Sequence, residues 1–401
     1  MSGVLIVGAG QAGGTAALQL RASGYDGDIK LAGSEPHAPY ERPPLSKGYL
    51  SGALAYNSLL VRPETTYEQQ QIELLKETTI ATIDPESGIA RTSKDCEIKF
   101  DRLLFTTGAR PRQLLIPGAE LPGVYYLRTI ADVEKLKGAM ATAKRVCLIG
   151  GGYVGLEFAS VAIKAGLDVT VLESADRLLK RVTTETMSHY FENLHRSQGV
   201  DIQCNSEIFS IEGEVCAERV VCRNSVIEAD LILVGIGAIP NTELAESAGV
   251  ECDNGILVDE QCRTSVANIY AAGDCTNHPN HYLNRRLRLE SAPNATDQAK
   301  VAAVNMLGED KCYRSVPWFW SDQFSSKLQA VGFSADGTSS VCRGRQEEHE
   351  FATFYLHDNR LVAVEAINFP RAFMVGKRLY GLQVDVEKLA DSSVDLKSLL
   401  V

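Results

Sequence analysis

Leu5-Ile6-Val7 opens a series of short apolar runs, each closed by glycine or by small and polar residues. Ile29-Lys30-Leu31-Ala32, a run from Asp101 to Phe105, Val146 to Ile149, Val169 to Leu172 and Leu231 to Val234 continue it. Short runs of this kind, bounded by turn residues and alternating with helix-length stretches, read as strands of an α/β protein. Two of them lead directly into a glycine-rich turn and then a helix, one after Val7 and one after Ile149, where the helix begins near Tyr153. Past Val200 the short strands resemble a meander, and the alanine- and valine-rich stretch that includes Thr296 to Leu307 reads as a buried helix. From about residue 315 the texture changes to strand-like runs near 327–333, 339–345, 351–356 and 361–368, a helix including Met374 to Gly381, and another near the C-terminus. That pattern predicts a small α/β cap with antiparallel strands.

Two further glycine-containing exits divide the chain into domains. Phe105 to Gly108, followed by Arg110 and Pro111, closes the first unit, and Leu231 to Gly237, followed by Pro240-Asn241, closes the second with the same design. Paired exits predict a second nucleotide-binding domain, residues 112–237, inserted into a first that spans 1–111 and 238–314, with a C-terminal domain over 315–401. The expected fold is therefore two Rossmann-like nucleotide-binding domains plus a small C-terminal α/β domain with an antiparallel sheet.

Composition narrows the setting. The chain has 401 residues, 45% of them hydrophobic, with no stretch approaching a membrane span. Its start enters a strand-like segment without a secretory pattern, so a cytoplasmic protein without membrane insertion is expected. A formal charge of -11 argues against nucleic acid as a partner. The ten cysteines are scattered and form no CxxC pair, as expected of reduced thiols.

The candidate chemistry lies in the turns. Gly8, Gly10 and Gly13 follow a strand and precede a helix, so backbone amides and a helix N-terminus can meet a pyrophosphate, and Glu35 stands where a carboxylate holds ribose hydroxyls. Gly150, Gly152 and Gly155 repeat this, with Glu173 closing the following strand; a carboxylate there accepts from a free 2'-hydroxyl and repels a 2'-phosphate, which favours NADH despite nearby Arg177. Glu157 reads equally as a salt-bridged surface residue or as a group facing the nicotinamide. Asp274 ends the Asn268 to Cys275 segment beside a helix start, where it can bond a ribityl or ribose hydroxyl. Two cradles imply two dinucleotides, a flavin and a nicotinamide. Both tryptophans fall between Val316 and Ser321, as core packing or as a flavin cover.

In these motifs and their order, over essentially its full length, the chain resembles the FAD-dependent NADH:ferredoxin reductases of bacterial Rieske dioxygenase and cytochrome P450 systems, which have the glutathione-reductase-like flavoprotein fold. The resemblance implies noncovalent FAD, NADH as donor and a [2Fe-2S] ferredoxin as acceptor, with an aromatic-ring-hydroxylating dioxygenase as the expected terminal enzyme. The family block Pro39 to Lys47 implies that Arg42 contacts the FAD phosphates or ribityl region, Pro43 packs near the ring, and Lys47 lies by the isoalloxazine and pairs with a carboxylate. It further assigns the adenine ribose to Glu35, the ribityl chain to Asp274, the flavin cover to Trp320 and the nicotinamide carboxamide to Glu157; Arg110 and Gly237 join the cofactor set at the paired exits. Disulfide reductases of this fold carry paired cysteines after the first cradle, yet Gly13 to Lys47 contains none. Electrons are thus expected to leave singly to the ferredoxin. Arg285, Arg286 and Arg288, extended by Lys311 and Arg314, form either its docking patch or intramolecular pairs with groups such as Glu290. Reduction of rubredoxin, or an NADH-sensing flavoprotein acting by redox-controlled binding, is the alternative reading.

Overall fold

The structure, a computed structural model, describes residues 3–400. The chain gathers into two compact units: Met1–Pro43, Ala55–Arg110 and Ala238–Pro317 form the first, and Pro44–Leu54, Pro111–Gly237 and Trp318–Val401 form the second. Each contains a parallel five-stranded sheet.

In the first unit the sheet order is Ile269–Ala271, Arg102–Phe105, Val4–Val7, Ile29–Ala32 and Ile72–Leu75, every neighbouring pair parallel. Val4 to Val7 is buried at all four positions, as a strand covered on both faces must be. One cover is the helix Gln11–Ala22, whose inward residues Ala12, Gly13, Gly14, Ala16 and Ala17 are small. They share a core with Ala299, Ala302 and Ala303 of the helix Ala292–Met306, and side chains this short let two helices approach closely. Ser291 caps the latter helix by accepting from the Asn294 amide, with Pro293 in its first turn.

The second unit repeats the sheet in Asp201–Gln203, Asp168–Leu172, Arg145–Ile149, Leu231–Val234 and Val124–Tyr125, again all parallel. Each nucleotide-type sheet is accompanied by a three-stranded antiparallel meander, Ile80–Asp84, Ile89–Thr92 and Glu97–Lys99 in the first unit and Ile208–Glu212, Arg219–Cys222 and Val226–Glu228 in the second. The C-terminal part is a five-stranded antiparallel sheet in the order Trp318–Gln323, Ser326–Gly332, Arg360–Ile367, Glu350–His357 and Ser339–Arg345, covered by the helix Pro370–Leu379. The mixed α/β class expected from the apolar runs is the one observed. The strand containing both tryptophans is an addition, because its aromatic and polar residues do not form a clean apolar run. All ten cysteines are free thiols.

Two fully buried histidines set an acid limit on stability. His195 is unexposed and His278 nearly so, and burial pushes each ring down to about 4. An unfolded histidine takes its proton near 6.5, so between there and 4 the unfolded chain binds more protons, and stability present above that window is lost as pH falls through it. The melting temperature is expected to fall between about pH 6.5 and pH 5. His278→Leu, which removes a ring whose two nitrogens have no partner, should flatten that fall; an unchanged slope would contradict the assignment.

Candidate functional site

The two glycine turns are built alike down to individual atoms. Gly8 and Gly150 stand at φ +116° and +108°, a region open to glycine, and a Cβ on either would strike a carbonyl oxygen beyond the neighbouring strand, Thr106 O at 2.2 Å or Gly235 O at 2.5 Å. Gly13 and Gly155 bring their helices down onto the turns, so that a Cβ would lie 2.0 Å from Gly8 O or 2.8 Å from Gly150 O. The middle glycines differ from both. A Cβ at Gly10 would meet nothing within 4 Å, and one at Gly152 only Gly235 O at 3.9 Å. Space is therefore kept above the turn at the N-terminus of each helix, Gln11–Ala22 and Tyr153–Lys164, where backbone amides and the helix dipole favour a phosphate. The cradles fit dinucleotides. In the first, Gln11 gives its amide proton to Thr296 at 3.1 Å while its buried oxygen has no protein partner, a polar atom left for a ligand beside the helix start.

The carboxylates at the strand ends are held differently. Glu35 accepts from the Tyr40 hydroxyl at 2.6 Å and pairs with Arg42 at 2.9 Å, and the Arg42 guanidinium lies over the Tyr40 ring. Glu173 folds back on its own turn, accepting from the Gly151 amide at 2.7 Å and the Ala175 amide at 2.8 Å. Arg177 donates to the carbonyls of Lys180, Thr183 and Thr184, which ties its guanidinium into the following loop. That loop is anchored in turn: Thr183 bonds Glu365 at 2.7 Å and Thr184 bonds Tyr355 at 2.8 Å.

Glu157 is salt-bridged but not at the surface, because its side chain is only 5% exposed. It lies in the second cradle's helix and pairs with Lys47 at 2.9 Å. Ser46 donates to the same carboxylate at 2.5 Å and Ser321 to its other oxygen at 2.6 Å. Lys47 follows the short helical turn Pro43–Ser46, which Pro43 opens, and Ser321 neighbours the half-buried Trp320 on the strand Trp318–Gln323. Lys47, Glu157 and the Trp320 strand thus come together within one unit. Ser46 and Ser321 escaped the sequence reading; only their adjacency to Lys47 and Trp320 could have signalled them.

The remaining candidates lie as follows. Asp274 follows the strand Ile269–Ala271, and Gly273 beside it sits against Ala12 and Ala295, so the spot borders the first turns of two helices. The chain does not enter a helix at Asp274; it runs through a hairpin, Thr276–Asn280 and Arg285–Leu287, because the helix it abuts begins only at Ala292. Arg110 is exposed and bonded to Asn241 and Glu243, and Gly237, at φ +109°, has the Arg181 guanidinium alongside.

A pair of parallel sheets, each ending in a cradle with its middle glycine open, defines a protein that holds two dinucleotides. Residues 2–299 match the family described as pyridine nucleotide-disulphide oxidoreductase and residues 318–400 match a reductase C-terminal domain. The chain belongs to this oxidoreductase family, whose members bind FAD and NAD(P)H. It is 42% identical to rhodocoxin reductase of Rhodococcus erythropolis, across 98% of this chain and 93% of that one. Among solved structures it resembles the ferredoxin reductase for the CYP199A2 system from Rhodopseudomonas palustris, with a TM-score of 0.97, 39% identity and 100% of each chain covered. The covalent putidaredoxin reductase-putidaredoxin complex matches with a TM-score of 0.95 at 38% identity, over 100% of this chain and 98% of that one. Among the described residues no helix is long and apolar enough to cross a membrane.

The glycine geometry separates folding from binding. Gly10→Ala should leave the melting temperature of FAD-free protein within about 1 °C yet lower FAD affinity at least about tenfold, because its methyl group fills only the open cradle. Gly13→Ala should cost stability outright through its clash with Gly8 O. Equal FAD affinity in Gly10→Ala and the parent protein would refute the cradle.

Proposed function

We propose that this protein is an NADH-dependent ferredoxin reductase that passes electrons through noncovalent FAD, one at a time, to a [2Fe-2S] ferredoxin of a multicomponent oxygenase. The observation that carries this reading is the pairing of Lys47 with the buried Glu157 in a chain that has no cysteine between Gly13 and Lys47. Without thiols in that segment a disulfide relay has no residues to run on, while a fixed cation and carboxylate suit hydride transfer, which needs positioning rather than a protein base. FAD, when bound, supplies the conversion from a two-electron donor to a one-electron acceptor.

The residues divide the work. Residues 1–111 and 238–314 are assigned to FAD, 112–237 to NADH and 315–401 to an interface role. Gly8, Gly10 and Gly13 take the FAD pyrophosphate, Glu35 its adenine ribose, Asp274 its ribityl chain, and Arg42, Pro43 and Arg110 complete that set. Gly150, Gly152, Gly155 and Gly237 line the NADH side. Glu157 orients the nicotinamide carboxamide, Lys47 places positive charge toward the flavin ring, and Trp320 covers it. Glu173 rejects a 2'-phosphate by charge, and Arg177 has its donors committed to three carbonyls rather than directed at such a phosphate. The ferredoxin meets the face around Arg285. Arg288 is paired with Glu290, while Arg286 donates to the Val258 and Asn277 carbonyls, which fix its guanidinium without neutralising it.

Anaerobic stopped-flow reduction by NADH and by NADPH, followed by oxidised [2Fe-2S] ferredoxin, tests the reading. Fast bleaching by NADH, slower bleaching by NADPH and ferredoxin-dependent recovery of the flavin colour are expected. Glu173→Ala should shrink the preference for NADH by about tenfold. Recovery with rubredoxin alone would reassign the acceptor, and recovery with neither protein would replace electron transfer by redox-controlled binding.

A further inference from the structure

The hydrogen bonds at Glu157 do not end with its neighbours. Ser321 donates to Glu157 Oε1, and the Ser321 oxygen accepts from Gln323 Nε2 at 3.1 Å. Gln323 Oε1 then lies 2.8 Å from His195 Nε2. With the amide nitrogen committed to Ser321, the amide oxygen is what faces the imidazole, so His195 carries its proton on Nε2 and leaves Nδ1 as the atom without a partner. Burial keeps this ring neutral at physiological pH. Ser321, Gln323 and His195 are all fully buried.

Every proton in the row points the same way. His195 gives to Gln323, Gln323 to Ser321 and Ser321 to the carboxylate, so three neutral dipoles align toward one negative charge, and bonds aligned in this manner polarise one another. From the opposite side Ser46 and Lys47 hold the other carboxylate oxygen, at 2.5 and 2.9 Å. Glu157 has donors on both oxygens and little freedom to turn. The strand Trp318–Gln323 supplies Ser321 and Gln323 from one of its faces, since alternate residues share a side, and Trp320 stands on the other. Apolar residues would fill the same buried volume without needing partners for each polar atom, so packing alone does not account for a serine, a glutamine and a histidine in line.

We infer that Ser321, Gln323 and His195 are positioning residues for Glu157, a buried row that fixes where its carboxylate meets the nicotinamide. The inference rests on the reading of Glu157 given above. It adds a link within one unit, in which the strand that carries Trp320 on one face steadies the nicotinamide contact with the other.

Calorimetric titration of the FAD-loaded protein tests it with two probes: tetrahydro-NAD, which cannot give up a hydride, and ADP-ribose, which lacks the nicotinamide. Ser321→Ala and Gln323→Leu should each weaken tetrahydro-NAD about fivefold and leave ADP-ribose within about twofold, whereas Ser321→Thr keeps the parent values. Equal weakening of both probes, or of neither, overturns the inference, because a structural defect does not distinguish them. Glu157→Ala serves as the reference. If it leaves the ratio of the two affinities unchanged, the reading of Glu157 fails and the row has nothing to position; if it changes the ratio while Ser321→Ala and Gln323→Leu do not, the row alone is refuted.

Discussion

A lysine and a glutamate 2.9 Å apart, the glutamate almost out of contact with water, constrain everything around them. Removing two charges from solvent costs several kcal/mol per ion, on the order of what the pair regains only when its remaining lone pairs are also met. Here Ser46 and Ser321 meet them. Satisfying one carboxylate therefore requires three stretches of chain, Pro44–Leu54, Pro111–Gly237 and Trp318–Val401, to arrive at one place, and these are the stretches that form one compact unit. Losing Lys47 leaves the Glu157 carboxylate buried without its counter-charge, which is why such a pair is a poor device for stability and a good one for holding a group at a chosen point.

The twin cradles supply the other half of the design. The outer glycines of each turn are dictated by carbonyl oxygens less than 3 Å from where a side chain would begin, so they serve the protein's own packing. Only the middle glycine has room to spare, and that room is a property of the ligand the turn receives. The same division of labour at the ends of two parallel five-stranded sheets shows one solution used twice, once for each dinucleotide.

Much of this was legible in the sequence because its signals are local. Short apolar runs before Gly8 and Gly150 mark strands, and small residues mark the helix that must approach. The antiparallel sheet was visible in alternating segments, though its first strand was not, since Trp318 to Gln323 lacks a clean apolar face. What local pattern cannot encode is association between distant segments. Nothing in Pro44 to Leu54 announces that it groups with residues beyond 110, and nothing in Ser321, Gln323 or His195 taken singly announces a row, because the row exists only when a helix and a strand some 120 residues apart lie side by side. The same holds for the partners of Arg286 and Arg288, which the fold ties to the Val258 carbonyl and to Glu290.

Lys47 and Glu157 act as one element of the site. A double-mutant cycle with Lys47→Met, Glu157→Gln and the pair of changes together, read as the rate of flavin reduction by NADH and as the melting temperature of the FAD-loaded protein, tests this most directly. Interdependence predicts that the double variant loses much less than the sum of the single losses, by at least about 1 kcal/mol in each readout. Additive losses in both would mean that the two residues work separately, and the account of the site would fall.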